Sequence, residues 1–155
     1  MSVDKFDFTM MLKQGHNAAE QVLMNNNEIK EVLSGLHNSL KNYLELPIEL
    51  HEVTEYEDEG LGRENIFTPF ALRVKTGRTK IKILHKETDT GETLFFLRRS
   101  EDGYPITAIL GKDNFMCNNQ DEFYSSVSNI IATPQINFQL RKFKREAESK
   151  IKPQS

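Results

Sequence analysis

Hydrophobic and polar positions alternate between turn signals through residues 70–110. The segment reads, in order, FALRVK, TG, RTKIKILHKE, TDTG, ETLFFLRR, SEDG and YPITAIL. Runs of β-branched and aromatic residues bounded by Gly, Asp, Ser and Thr are typical of an antiparallel meander. Another alternating run, over residues 48–56, follows Pro47, which ends any preceding helix. The pattern therefore predicts five strands between residues 48 and 110.

Helical periodicity precedes and follows the predicted sheet. Apolar residues recur at three- and four-residue steps across residues 7–44, and Asn25–Asn27 leave open whether this segment is one helix or two. Asn118 or Asn119 can cap a short later helix, and Thr133–Pro134 has the chemistry of a helix start. We expect a single α+β domain, with helices over 7–44 and 119–150, a sheet over 48–110 and a frayed tail over 150–155.

The long N-terminal segment carries apolar residues on one face in each of its halves. The second-half stripe is expected to pack against the sheet, and the alternative is a seam between two copies of the chain in a homodimer. The first-half stripe consists of Phe8, Met11, Leu12, Ala18, Ala19, Val22 and Leu23. The second-half stripe consists of Ile29, Val32, Leu33, Leu36, Leu40 and Tyr43.

Counting outward from the turns gives a predicted register. A two-residue turn at Thr76–Gly77 pairs Val74 with Thr79 and places Lys75 opposite Arg78. The later hairpins are apolar on both faces, so both faces need cover. We expect the N-terminal helices on one face and the C-terminal helices on the other; the alternative is a partner on one of them. In this register Leu84 faces Phe96 and Leu94 faces Ile109, and these four residues form the candidate apolar patch.

Composition restricts the class of protein. The chain is 37% hydrophobic and 28% charged with a formal net charge of −3, which is typical of a soluble globular protein. Cys117 is the single cysteine, which suits a reducing cytoplasm. The segment MSVDKFDF lacks the features of a signal peptide, and no apolar run approaches the ~20 residues that cross a bilayer. We expect a cytoplasmic protein with no membrane partner.

Charges are segregated along the chain. Residues 45–64 contain eight acids and one base, whereas residues 73–86 contain six bases and no acid. Two glycines and Leu61 lie in the acidic segment, which predicts a mobile contact for a protein with a basic surface. The alternative is a solvated loop. The candidate contact residues are Glu55, Glu57, Asp58, Glu59 and Leu61.

The basic residues favour a second hypothesis, nucleic-acid binding. A strand face of Arg and Lys can follow phosphates, with a basic C-terminal helix adding affinity. The register places no aromatic residue among these bases for stacking, and a pI of about 5.8 is unusual for such a protein. The bases are otherwise explained by ion pairs with the acidic first strand. The candidate residues are Arg73, Lys75, Arg78, Lys80, Lys82, Arg141 and Lys142.

Catalytic signatures are missing from the sequence. It contains no P-loop, dinucleotide fingerprint or nucleophile elbow, and one Cys with four scattered His is a poor zinc set. A metal-dependent nuclease, the second alternative, would use Glu52, Glu55 and Glu57 with Lys80 or Lys82, but these acids lie on one strand. We therefore predict no catalytic residue, metal site or cofactor. The expected function is protein binding, as an inhibitor, immunity factor, adaptor or small assembly subunit of bacterial or phage origin.

Overall fold

The computed structural model describes residues 5–57 and 73–151. In these residues the chain forms an α+β fold with one helix before and two helices after an antiparallel sheet of five strands, so the predicted fold class is confirmed. The strand order is β1-β2-β3-β4-β5, and each strand pairs with the next in sequence. The elements are α1 (Thr9–Leu44), β1 (Glu49–Tyr56), β2 (Lys75–His85), β3 (Thr90–Ser100), β4 (Gly103–Leu110), β5 (Asp113–Cys117), α2 (Gln120–Ile131) and α3 (Pro134–Ile151).

The N-terminal helical segment is one helix of 36 residues. Asn25–Asn27 do not interrupt it, because polar side chains there find partners without leaving the helix. Asn25 Nδ2 donates to the carbonyl of Asp102 at 2.9 Å, and Asn25 Oδ1 accepts from Gln21 at 2.9 Å. The helix ends at Glu45, whose left-handed conformation (φ 55°) directs its N–H to the carbonyl of Lys41.

The two C-terminal helices begin where their capping residues predict. Asn119 Oδ1 accepts the backbone N–H of Glu122 at 2.9 Å, and the Glu122 carboxylate accepts the N–H of Asn118 at 2.8 Å. This reciprocal pair satisfies two backbone donors at the start of α2. At α3, the Thr133 hydroxyl lies 3.4 Å from the N–H of Ile136, and Pro134 occupies the first helical position.

The hairpin predicted at Thr76–Gly77 is wrong. β2 continues through these residues and pairs directly with β1, so the predicted pairs of Val74 with Thr79 and of Lys75 with Arg78 do not form. Gly77 has a positive φ of 90°, and it lies where the β1–β2 register shifts rather than where the chain reverses. The fifth strand is instead β5, which extends the sheet beyond the predicted boundary at residue 110.

The predicted pairs of the later hairpins are also wrong. The chain reverses through a 3₁₀ turn at Lys86–Thr88, earlier than expected, so Leu84 faces Gly91. A bulge opposite Ile81–Lys82 then shifts the register by one residue. As a result Phe96 lies between Lys80 and Ile109.

The hydrophobic core lies on one face of the sheet. It joins Ile81, Phe95 and Leu97 of the central strands to buried residues of all three described helices. The expectation that helices cover both faces is therefore wrong in the described residues. Short connections at Glu45–Ile48, Asn118–Asn119 and Ala132–Thr133 keep the helices on the same side. The helical core residues are Ile29, Leu36, Leu40, Leu44, Phe123, Val127, Ile130, Ile136, Leu140, Phe143 and Ala147.

Candidate interaction surfaces

The first half of α1 extends beyond the rest of the structure. All residues from 5 to 21 are exposed, Val22 is half-buried, and Ile29 is the first fully buried residue of the helix. We name residues 8–24 the arm. At 1.5 Å per residue, its 17 residues are about 25 Å long.

The arm exposes large apolar side chains. Leu12 is 73% exposed and Phe8 is 63% exposed, which leaves most of both side chains in water. Isolated exposed apolar residues are ordinary, but a row of them on one helix is a feature of interaction sites. The other strongly exposed apolar residues of the arm are Met10, Met11, Leu23 and Met24.

One face of the arm continues the core-facing side of α1. Phe8, Gly15 and Val22 are spaced seven residues apart, and the same spacing leads to Ile29 and Leu36 in the core. Residues seven apart lie on nearly the same side of a helix. The apolar face of the arm is therefore collinear with the face on which the domain packs. We name its residues the arm stripe: Phe8, Met11, Leu12, Gly15, Ala18, Ala19 and Val22.

The base of the arm is held firmly against the β3–β4 turn. Asn25 bonds to Asp102, and Gly103 lies so close that a Cβ there would be 2.8 Å from the Cβ of Asn25. The Tyr104 hydroxyl donates to Glu28 Oε1 at 2.9 Å. Burial, together with this carboxylate, raises the pKa of Tyr104. These contacts fix the direction in which the arm leaves the domain.

A groove between α1 and α2 is a further candidate surface. It has a volume of about 420 Å³, and Gly35 is one of its lining residues, with nothing within 4 Å of where its Cβ would be. Its floor is apolar, and acids of both helices line its edge. The lining includes Val32, Leu36, Tyr124, Val127, Ile131, Glu31 and Asp121.

The acidic residues predicted to bind a partner are only partly described. Glu55 is engaged within the chain: its carboxylate accepts from Arg78 Nε at 2.8 Å and from the Thr76 hydroxyl at 2.8 Å. The Arg78 guanidinium holds the pKa of Glu55 below its usual value. Glu57 is exposed at the end of the described segment. Asp58, Glu59 and Leu61 lie outside the described residues.

The candidate nucleic-acid residues lie on both faces of the sheet. Arg78 is bonded to Glu55 and lies 4.2 Å from the centroid of the Phe96 ring, and Arg73 lies 4.7 Å from that of Tyr56. Lys80 and Lys82 alternate with core residues of β2, so they are on the face opposite the helices. Lys75 is exposed at the start of β2, whereas Arg141 and Lys142 are exposed on α3, which packs on the helical face. These residues do not form one continuous basic surface.

The predicted apolar patch is divided between the two faces of the sheet. Phe96 and Ile109 are direct cross-strand neighbours on the face opposite the helices, where Arg78 covers Phe96. The bulge places Leu94 in the core with the helices. Leu84 lies on the same face as Phe96 but pairs with Gly91, four residues along β2 from Lys80, which pairs with Phe96. Only Phe96 and Ile109 are brought together.

Glu52 and Arg99 form a bidentate ion pair. Both guanidinium contacts are short, 2.8 Å from Nε and 2.7 Å from Nη2, and the Thr79 hydroxyl adds a third at 2.6 Å. Burial by itself would raise the pKa of Glu52, but the hydrogen bonds outweigh it and hold the pKa below its usual value. The pair lines a polar cleft of about 390 Å³ beside His37, whose Nε2 donates to the carbonyl of Ile48.

Replacing Arg99 by alanine is expected to lower the free energy of unfolding by about 1–2 kcal/mol at pH 7, because it leaves a partly buried carboxylate without its partner. The folded-state pKa of Glu52 is depressed, so its contribution is present above the unfolded value of about 4.3 and is lost as pH falls through the folded value. The difference between variant and wild type should therefore shrink between pH 7 and pH 3, with most of the change below about pH 4.3. Urea denaturation at both pH values measures it.

Arg98→Ala is the matched control for that experiment, since Arg98 is the adjacent arginine and is exposed. This substitution should lower the free energy of unfolding by no more than about 0.5 kcal/mol. Equal losses at the two positions, or a difference at Arg99 that does not change with pH, would contradict the assigned ion pair.

In the part of the chain that the structure describes, Glu52, Glu55 and Cys117 lie apart from one another. Glu52 points to the helical face and Glu55 to the other, so the two do not converge on one point. Within residues 5–57 and 73–151, no group of three or more His, Cys, Asp or Glu is placed to hold a metal ion. Cys117 is buried, donates to the carbonyl of Phe115 at 3.3 Å, and has its pKa raised by burial.

No protein-family model matches the chain, and no curated protein or solved structure matches it. In the described part of the chain, none of the helices combines the length and the apolar character needed to span a membrane.

The apolar face of the arm is visible in the sequence as a periodic pattern within helices that are expected to cover one face of the sheet. Ile29, Leu36 and Leu40 of the second half are indeed buried, as expected for core positions rather than a dimer seam. The first half carries the same pattern with no surface beneath it. The exposure of the first half could have been inferred from lengths alone, because the long N-terminal helix has more apolar face than one side of a small sheet can cover.

Proposed function

We propose that the protein is a non-catalytic binding protein that holds a polypeptide partner on the arm stripe. The observation that carries this proposal is the exposure of Phe8, Met11 and Leu12 on a helix whose base is fixed to the domain. A helix that is fixed at its base presents its side chains at a lower ordering cost than a free segment would. Inhibitors, immunity factors, adaptors and small assembly subunits are the kinds of protein that the proposal covers.

The energetics of the arm support a partner. Burying one Leu, Met or Phe side chain stabilises a complex by about 1.5–3 kcal/mol, so covering Phe8, Met11 and Leu12 would contribute several kcal/mol. Gly15 in the middle of the exposed helix costs about 1 kcal/mol relative to alanine. A helix of about this length is only marginally stable in water on its own. A partner on the stripe would have two effects: it would remove apolar surface from water, and it would stabilise the helix.

The shape of the stripe supports a helical or grooved polypeptide as the partner. Phe8, Met11, Leu12 and Gly15 follow the i, i+3, i+4, i+7 spacing with which helices insert into apolar surfaces. The charged residues nearest the middle of the arm, Lys13 and Glu20, lie on its opposite side. Elsewhere in the described residues, the carboxylates of Glu52 and Glu55 each form an ion pair with an arginine. These two carboxylates are therefore less available to a basic partner than the sequence suggests, whereas the apolar side chains of the arm are exposed.

Photo-cross-linking tests the proposal directly. A photoreactive phenylalanine analogue at Leu12 should cross-link to a polypeptide at least ten times more efficiently than the same analogue at Lys13, one residue away on the other side of the helix. The adducts, separated by mass after irradiation in the source cells, report whether the stripe is occupied. Equal yields at the two positions, or no polypeptide adduct at either, would overturn the proposal.

A further inference from the structure

We infer that the arm stripe binds the arm stripe of a second copy of this chain, with the two helices antiparallel about a two-fold axis. The inference rests on the proposed function, because it names the polypeptide that the arm holds. It is argued from the direction of the stripe, the length of the arm and the order of its side-chain sizes.

The direction of the stripe excludes a parallel pair. The stripe is collinear with the face of α1 on which the domain packs, as the seven-residue series from Phe8 through Val22 to Ile29 and Leu36 shows. The domain therefore lies on the same side of the helix as the stripe. Two parallel arms, stripe to stripe, would place both domains in the same volume. Antiparallel arms place the domains at opposite ends of the pair.

The length of the arm matches this arrangement. We place the two-fold axis between residues 16 and 17. Residue 16 of one copy then lies opposite residue 17 of the other, residue 15 opposite residue 18, and so on outward. Phe8 of one copy then lies beside Asn25 of the other, where the arm meets the β3–β4 turn. Each arm ends where its partner's domain begins. The full stripe is covered without overlap of the domains.

The sizes of the side chains are self-complementary in this register. Gly15 lies opposite Ala18 at the axis, so the helices can approach closely there. Met11 lies opposite Val22 on either side of this centre, and Leu12 lies near Ala19. Large residues thus meet medium or small ones along the whole pair, as interdigitated packing requires. Lys13 and Glu20 stay on the outer side in water.

The area of the pair sets its strength. Two helices of 17 residues in contact along one face bury less than the ~800 Å² per partner of a standard interface. The structure therefore predicts a dimer that dissociates in the micromolar range rather than a permanent one. Closed two-fold pairs are the commonest oligomers, because one patch serves both partners.

Sedimentation equilibrium of the full chain from about 1 μM to about 1 mM tests the inference. The mass should rise from 17.9 kDa toward twice that value. Ala18→Glu should weaken association at least 100-fold, because it places a carboxylate at the axis opposite Gly15. Asn17→Glu, which adds the same charge one residue away on the outer side, should change it less than threefold. Circular dichroism checks that both variants remain folded.

Disulfide trapping fixes the orientation. M11C mixed with V22C should give a mixed disulfide at least tenfold more efficiently than M11C alone. A predominance of M11C homodimers would overturn the antiparallel arrangement. A wild-type chain that stays monomeric over the whole range overturns the inference itself. The proposed function would still stand in that case if the analogue at Leu12, and not the one at Lys13, gave polypeptide adducts of another mass. It would fall if the yields at the two positions were equal or if no polypeptide adduct formed.

Discussion

Phe95→Ala is expected to lower the free energy of unfolding by about 3–5 kcal/mol. Phe95 is fully buried on the central strand β3, opposite Ile81, and belongs to the core that all three described helices share. Removing its ring leaves a cavity at the point where the helices meet the sheet, and neighbouring side chains can fill it only in part. Urea denaturation followed by far-ultraviolet circular dichroism at pH 7 measures the loss.

Phe138→Ala is the control for the Phe95 experiment. It deletes the same ring from α3, where Phe138 is 64% exposed, and should change the free energy of unfolding by less than about 0.5 kcal/mol. Domains of this kind are stable by about 5–15 kcal/mol, so the Phe95 variant can still fold while showing a much lower midpoint. Similar losses at Phe95 and Phe138 would contradict the position of the core.

Gly103→Ala is expected to lower the free energy of unfolding by about 2–3 kcal/mol, for two separate reasons. Gly103 has a φ of 95°, which side-chain-bearing residues rarely adopt, and a Cβ there would be 2.8 Å from the Cβ of Asn25. Either the β3–β4 turn or the base of the arm has to move. Denaturation at pH 7 measures the cost, and hydrogen exchange at residues 22–28 reports whether the base of the arm loosens.

Gly111→Ala separates the two causes. Gly111 also has a positive φ, 60°, but nothing lies within 4 Å of the position its Cβ would take. Its substitution should therefore show the backbone cost alone, about 1–2 kcal/mol. The excess at Gly103 is then the contribution of packing between α1 and the β3–β4 turn. No excess at Gly103, with unchanged exchange at residues 22–28, would mean that Asn25 does not rest on this turn.

The local signals of the sequence predicted the elements well. Asn119 and Thr133–Pro134 start their helices as expected, because capping depends on residues within one turn. The continuity of α1 through Asn25–Asn27 could not be predicted, since Asn25 is stabilised there by Asp102, 77 residues away. Such a partner is invisible to local propensity.

The register of the sheet could not be predicted because turn chemistry was misjudged. Thr76–Gly77 has the composition of a hairpin turn. On the neighbouring strand, however, Glu55 accepts a hydrogen bond from the Thr76 hydroxyl, and Tyr56 pairs with Lys75. These contacts keep β2 extended. The bulge that moves Leu94 into the core likewise has no local signature. One such shift changes which residues share a face, and this is why the predicted apolar patch was divided.

The candidate site could be predicted only in part. Periodicity identified the residues of the arm stripe, but it reports that a helix has an apolar face and not what covers that face. The seven-residue spacing that leads from Phe8 through Gly15 and Val22 continues unchanged to Ile29. It gave no indication that the first half of the helix lies beyond the sheet. Exposure is a property of the tertiary arrangement.

The sequential order of the strands also determines the order in which contacts become available. β3 joins β4, and β4 joins β5, through connections of two residues, so these pairings close short loops at little entropic cost. α1 is different: Asn25 contacts a residue 77 positions later, and the carbonyl of Glu28 contacts Gln120, 92 positions later. α1 leaves the ribosome before the sheet and the later helices, and it therefore completes these contacts only after residues 102 and 120 have been made.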